Sequence, residues 1–174
     1  MKFIPFVVLL AFVFVVLSCN NRSVQSSKYF DYDGIDYYFN DFDEDEIELL
    51  DNPKTELDTI KNRVILGDIP LSMNDLSFVN KLEKIGYRRT EIDESKFPEI
   101  DKIFGRGEQD ATTSCIYVYR DILVFKKKDK VVGVVKICFD CFENQIVGGL
   151  QDSAYFNRDV DYNRLKNLLR GKGK

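Results

Sequence analysis

Apolar positions follow two regimes along this chain. From Phe3 to Leu17 every residue except Pro5 is apolar; beyond that, apolar residues come in short patterned groups. Residues 20–28 are dominated by polar side chains and read as a flexible tether. Asp43 with Glu46 three positions on forms a capping-box pattern ahead of Ile47, Leu49 and Leu50, which predicts a short helix. Arg63–Leu66 reads as a short strand. Ser72 and Asp75 repeat the capping pattern, and Phe78, Val79, Leu82 and Ile85 recur at helical spacing before Gly86, predicting a helix over 73–85. Tyr87–Ile92 follows as a strand. Ser95–Phe104 reads as a short helix with Pro98 in its first turn and Gly105 as its stop, and Gly105–Asp110 as a solvated loop.

Cys115–Phe125 and Val131–Phe139 are rich in β-branched and aromatic residues, and Lys126–Lys130 separates them: a hairpin. A turn centred on Lys128-Asp129 pairs Lys127 with Lys130 and, carried on, Asp121 with Lys136. That register predicts one buried face with Ile116, Val118, Ile122 and Val124 against Val135, Ile137 and Phe139. Tyr117, Tyr119, Asp121 and Lys136 share the other face. Residues 143–158 read as irregular, and Asp161 as the cap of a final helix bearing Tyr162, Leu165, Leu168 and Leu169, stopped by Gly171. The predicted class is α+β: a small antiparallel sheet of four strands around a central hairpin (about 114–125 and 131–139), packed with two to four helices.

The leader is shorter than the roughly 20 apolar residues that cross a bilayer. With Lys2 before it and Val16-Leu17-Ser18-Cys19 behind it, it resembles the signal peptide and lipobox of bacterial lipoproteins. The resemblance implies that residues 1–18 are removed and that Cys19, as the new N-terminus, carries acyl chains in the membrane. Residues 19–28 then tether a single globular domain, 29–174. Asn20 is not the aspartate associated with inner-membrane retention, so the resemblance implies the outer membrane of a Gram-negative cell envelope.

Composition removes several mechanisms. The chain contains no histidine, which excludes Ser-His-Asp and Cys-His nucleophiles and histidine-ligated metal sites. Lys2 is the one charge in the leader, so the remainder carries 24 basic and 29 acidic side chains, a net charge of −5. That balance gives no footprint for nucleic acid or for an anionic membrane surface. No cofactor is implied.

Three cysteines lie beyond Cys19: Cys115, Cys138 and Cys141. An oxidising envelope permits a disulfide, and an odd number leaves a thiol over. Two readings stand: buried thiols acting as small apolar residues, or a disulfide, for which Cys115–Cys141 is the favoured pairing and needs a bulge or an early end to the ladder. That bond would contribute roughly 3 kcal/mol. Cys138-Phe139-Asp140-Cys141 has the spacing of a thiol redox pair or part of a metal site, but it follows a strand, and no proline lies downstream. Asp31, Asp33, Asp36, Asp41, Asp43, Glu44, Asp45 and Glu46 gather oxygens of the kind calcium prefers, without the EF-hand pattern: Ile35 and Glu46 occupy positions that pattern reserves.

Tyr119–Lys127, Gly133 and Lys136–Cys141 resemble a pattern in small bacterial envelope lipoproteins. The resemblance implies an envelope lipoprotein and supplies no catalytic residue. The expected function is a non-enzymatic, lipid-anchored binding or interaction module with a protein partner in the envelope, one version being an immunity-type lipoprotein that neutralises a toxin. The alternative is a periplasmic thiol redox or metal-binding protein using Cys138 and Cys141. A hydrolase built on carboxylates is a third reading.

Overall fold

The computed structural model describes residues 28–104, 115–150 and 158–171. The leader, Cys19, residues 20–27 and the Gly105–Asp110 loop lie outside the described residues. Five strands form one antiparallel sheet: β1 Gly34–Phe39, β2 Arg88–Glu91, β3 Asp121–Lys127, β4 Lys130–Cys138 and β5 Glu143–Gly148, in the order β2-β1-β3-β4-β5. The α-helices are α1 Glu44–Glu48, α2 Glu56–Ile65, α3 Phe97–Phe104 and α4 Arg158–Arg170. This is the α+β class, with the hairpin at the sheet's centre.

Both faces of the sheet are buried. On one, Ile35, Tyr37, Leu123, Phe125, Val135 and Ile137 pack against Ile100, Ile103 and Phe104 of α3 and Tyr162 and Leu165 of α4. On the other, Tyr38, Ile122, Val124, Val134 and Val147 meet Val64 and Ile65 of α2 and Phe78, Val79, Leu82 and Ile85. The central strands therefore read as nearly continuous apolar runs rather than as alternation.

The hairpin turn falls where the sequence places it, with Lys127 opposite Lys130. Beyond it the predicted register fails. Lys126 pairs with Val131 but Phe125 pairs with Gly133, so Val132 is an extra, unpaired residue. A bulge of this kind moves every later pair by one. Asp121 faces Ile137 and Lys136 faces Ile122. Ile122 and Val124 thus share a face with Val134 and Lys136, while Leu123 and Phe125 share the opposite face with Val135 and Ile137. The first hairpin strand also begins at Asp121 rather than at 114, because residues 115–120 leave the ladder.

Other expectations need correction. Arg63–Ile65 belongs to α2, not to a strand: Thr55 caps the helix, accepting from the Asp58 N–H at 3.0 Å while Asp58 accepts from the Thr55 N–H at 3.0 Å. The 73–85 segment is helical but tighter than α, with 3-10 turns over Met73–Lys81 and Glu83–Ile85 ended by left-handed Gly86. The acidic segment supplies β1, and residues 143–148, read as irregular, supply β5. The final helix starts at Arg158, so Asp161 lies buried within it instead of capping it. Lys28 already touches the domain, its ammonium 4.9 Å from the Tyr32 ring centre.

The Phe30 and Phe125 rings stack with centroids 4.1 Å apart, and Gly133 leaves room for Phe30. A Cβ on Gly133 would lie 2.2 Å from Phe30 Cε1. Phe30 is fully buried and has nowhere to retreat. Gly133→Ala should therefore lower the unfolding free energy by about 1–3 kcal/mol, read by urea denaturation; an unchanged midpoint would show that the Phe30 ring is not held there.

Candidate functional site

The strand directions give the sheet two distinct ends. Tyr29–Asp33, the Lys128-Asp129 turn and the end of β5 lie at one, the turn end. The starts of β2, β3 and β5 and the end of β4 lie at the other, the cysteine end. The cysteine end holds the candidate residues from the sequence and several groups the sequence did not mark.

Cys115 is bonded to Cys141, with Cα atoms 6.0 Å apart and a sequence separation of 26. The ladder has already ended there, so Cys115 and Cys141 approach from segments outside β3 and β4. Cys138 is a free, buried thiol. It packs with Tyr119 and Cys141 in a small cluster flanked by Tyr117. Cys141 is thus committed to Cys115, and Cys138 and Cys141 do not form a pair.

Lys136 lies beside this cluster and is fully buried. Its Nζ donates to the Val64 carbonyl at 2.7 Å and the Ile69 carbonyl at 2.5 Å, and sits 4.5 Å from the Tyr119 ring centre. Val64 is in the last turn of α2, where carbonyls lack helical partners and the dipole favours a cation. Burial, opposed by the charge of Asp68, pulls the Lys136 ammonium down to about 7. Tyr119 is fixed from two sides: its N–H donates to the Ile65 carbonyl at 2.9 Å and its carbonyl accepts from the Tyr87 hydroxyl at 2.5 Å.

Asp121 occupies the opposite face and is also fully buried. It accepts from the Tyr37 hydroxyl at 2.5 Å and from Arg170 Nε at 3.0 Å, and Arg170 Nη2 meets its second oxygen. Burial pushes the Asp121 carboxyl above the usual carboxylate range, against the pull of Arg170 and Tyr37. Burial and then Asp121 push the Tyr37 hydroxyl up. Burial pulls the Arg170 guanidinium down, and its bonds to Asp121 more than reverse this, so it stays charged. Arg170 lies over Phe39, 4.4 Å from the ring centre, and 5.5 Å from that of Phe139.

Asp121, Lys136 and Tyr37 have perturbed acidities and are buried among the described residues. Asp121 is enclosed by its donors, and Lys136 and Cys138 are covered. What the cysteine end offers to solvent is surface: Ile116, 83 % exposed beside the disulfide, half-buried Tyr117, and Arg120 with Asp140 at 3.5 Å. Among the described residues, surface hollows of about 340 and 280 Å³ lie against Glu91–Glu94 and between Leu57, Lys61 and Gly86.

Four carboxylates of the acidic segment are engaged within the domain. Asp31 pairs with Lys127 at 2.9 Å, Asp33 accepts from the Lys128 N–H at 3.0 Å, Asp36 lies between Arg89 and Lys126, and Asp43 caps α1. Among the described residues no three Cys, Asp or Glu side chains gather as a metal site. Nor is any described helix long and apolar enough to cross a membrane.

Sequence reading missed Asp121, Arg170 and Lys136 as buried charges. A signal for Lys136 was present: it interrupts the apolar run Val131–Cys138, as only a satisfied buried charge does in a central strand. No protein-family model matches the chain, and no curated protein or solved structure matches it.

Two outcomes are expected. Unfolded, Lys136 titrates near 10.5; folded, near 7. Between these values the unfolded state binds the extra proton, so this lysine makes stability rise with pH across that window. Lys136→Met should flatten the rise in urea-denaturation free energy from about pH 7 to about pH 10; a slope equal to that of the unaltered protein would contradict the buried position. In a Cys19→Ser background, thiol titration without reductant should find almost no reactive thiol in the native protein and one, Cys138, after unfolding. A native dithiol reacting at once would favour the redox alternative.

Proposed function

We propose that this protein is a lipid-anchored cell-envelope lipoprotein acting as a non-enzymatic binding module, with its domain held at the outer membrane of a Gram-negative bacterium. The observation that carries this reading is the apolar run ending in Val16-Leu17-Ser18-Cys19. A cysteine bearing more than one acyl chain makes a stable anchor where a single chain is marginal. The disulfide Cys115–Cys141 suits an oxidising compartment.

The cysteine end supports the binding role. Lys136, Asp121 and Cys138 are covered, while Ile116 faces outward beside half-buried Tyr117 on a segment pinned by the disulfide. A rigid surface with an exposed aliphatic and an aromatic residue loses little entropy on docking. The partner that fits is a protein of the envelope or one entering it, and a toxin neutralised by stoichiometric binding is one such partner.

Envelope-purified protein should have the intact mass of residues 19–174 plus acyl chains. Cys19→Ser should leave the leader uncut and abolish the acyl mass. An unaltered mass in the native protein, or leader cleavage undiminished in the variant, would refute the anchor.

A further inference from the structure

Resting on the lipid-anchor reading, we infer that the turn end of the sheet is a bilayer-docking surface, and that the domain sits on its own membrane with the cysteine end pointing away. Nine residues lead from Cys19 to Lys28, and an extended chain covers at most about 30 Å in that length. The chain enters the domain at Lys28-Tyr29, so whichever surface lies there is held close to the lipid.

That surface is built from three separate segments. The Leu150 N–H donates to the Tyr29 carbonyl at 2.7 Å, which sets Leu150 next to the point of entry. A Cβ on Gly148, at the end of β5, would lie 2.8 Å from Met73 Sδ, which brings in the Pro70–Met73 segment. Leu71 and Leu150 are 73 % and 67 % exposed, and Met73 is partly exposed. The third segment is the hairpin tip. Among the described residues Lys128 and Lys130 are exposed with no carboxylate at ion-pair distance, whereas Lys127 is paired with Asp31 and Lys126 with Asp36.

Exposed aliphatic side chains beside unpaired lysines are what an anionic phospholipid surface accepts: the lysines meet phosphate, and the leucines enter the headgroup–acyl boundary. The net charge, −4 for the whole chain, hides this local sorting: Asp31 is paired with Lys127 and Asp33 accepts from the Lys128 N–H, which leaves exposed Asp129, in the turn itself, as the acid of the hairpin tip set against Lys128 and Lys130. A soluble protein partner accounts for the apolar residues but not for their place at the mouth of so short a tether.

The chain has no tryptophan, so a single introduced one reports one position. Leu150→Trp and Leu71→Trp probe the turn end, and Ile116→Trp the cysteine end; all three sites are exposed, so folding tolerates the change. Each acylated full-length protein is purified from membranes, checked by intact mass and reconstituted on phosphatidylethanolamine–phosphatidylglycerol vesicles with brominated acyl chains. Leu150→Trp and Leu71→Trp should emit at shorter wavelength than in detergent and lose at least about half their intensity to bromine. Ile116→Trp should change little. Unquenched turn-end reporters on a chain carrying its acyl mass overturn the docking and leave the anchor intact. Quenching of Ile116→Trp alone reverses the orientation and also overturns it. Turn-end emission already shielded before lipid is added assigns the surface to a protein contact instead. A chain without acyl mass removes the anchor, and the docking falls with it.

Discussion

One extra residue in β4 controls the faces of the central sheet. Val132 stands unpaired between the Lys126–Val131 and Phe125–Gly133 pairs. Because side chains alternate across a strand, the single-residue displacement moves the whole of β4 relative to β3. With it, Gly133 comes beneath the Phe30 ring, Lys136 beneath α2 and Ile137 beside Asp121. Without it, Gly133 would sit opposite Val124 and Lys136 opposite Asp121, joining two charges on one face and leaving Phe30 without its space.

Instead the two buried charges stand on opposite faces, and each ties a different helix to the sheet. Lys136 holds the end of α2 through the Val64 carbonyl and the segment that follows it through the Ile69 carbonyl, and Asp121 holds the last residue of α4 through Arg170. Taking a charge out of water costs several kcal/mol unless its hydrogen bonds are replaced. Here they are replaced, by the Val64 and Ile69 carbonyls for the cation and by a guanidinium and a phenol for the carboxylate. Such pairs add little net stability over well-packed apolar residues, but they restrict which helix can lie where. They also rule themselves out of surface chemistry, because the groups that satisfy them close them off.

The ends of the sheet divide the remaining features. The cysteine end combines a disulfide, a buried thiol and a small exposed surface at Ile116 and Tyr117. The turn end combines the chain's entry, exposed lysines and exposed leucines. The proposed tethered binding module would require such polarity, since a surface that rests on lipid cannot also receive a partner.

By itself the sequence determined the local matters. The capping box at Asp43 set a helix start through bonds between residues three apart, and Lys128-Asp129 set the hairpin turn. The leader pattern rests on local order alone, as does the exclusion of histidine chemistry. The α+β class followed from the order of these elements. Only the tertiary structure decided β1 and β5, whose polar residues are accommodated by partners far along the chain: Asp36 by Arg89 and Lys126, Asn144 by Tyr162 and Gln145 by the Gly67 carbonyl. It alone decided the bulge as well, because the competing registers differ in which distant helices can cover each face. Arg63–Ile65 went to a helix for a related reason: a run of β-branched residues is ambiguous until a cap upstream and a sheet beneath it choose its period. Periodicity reports burial, but what does the burying is a property of the assembled chain.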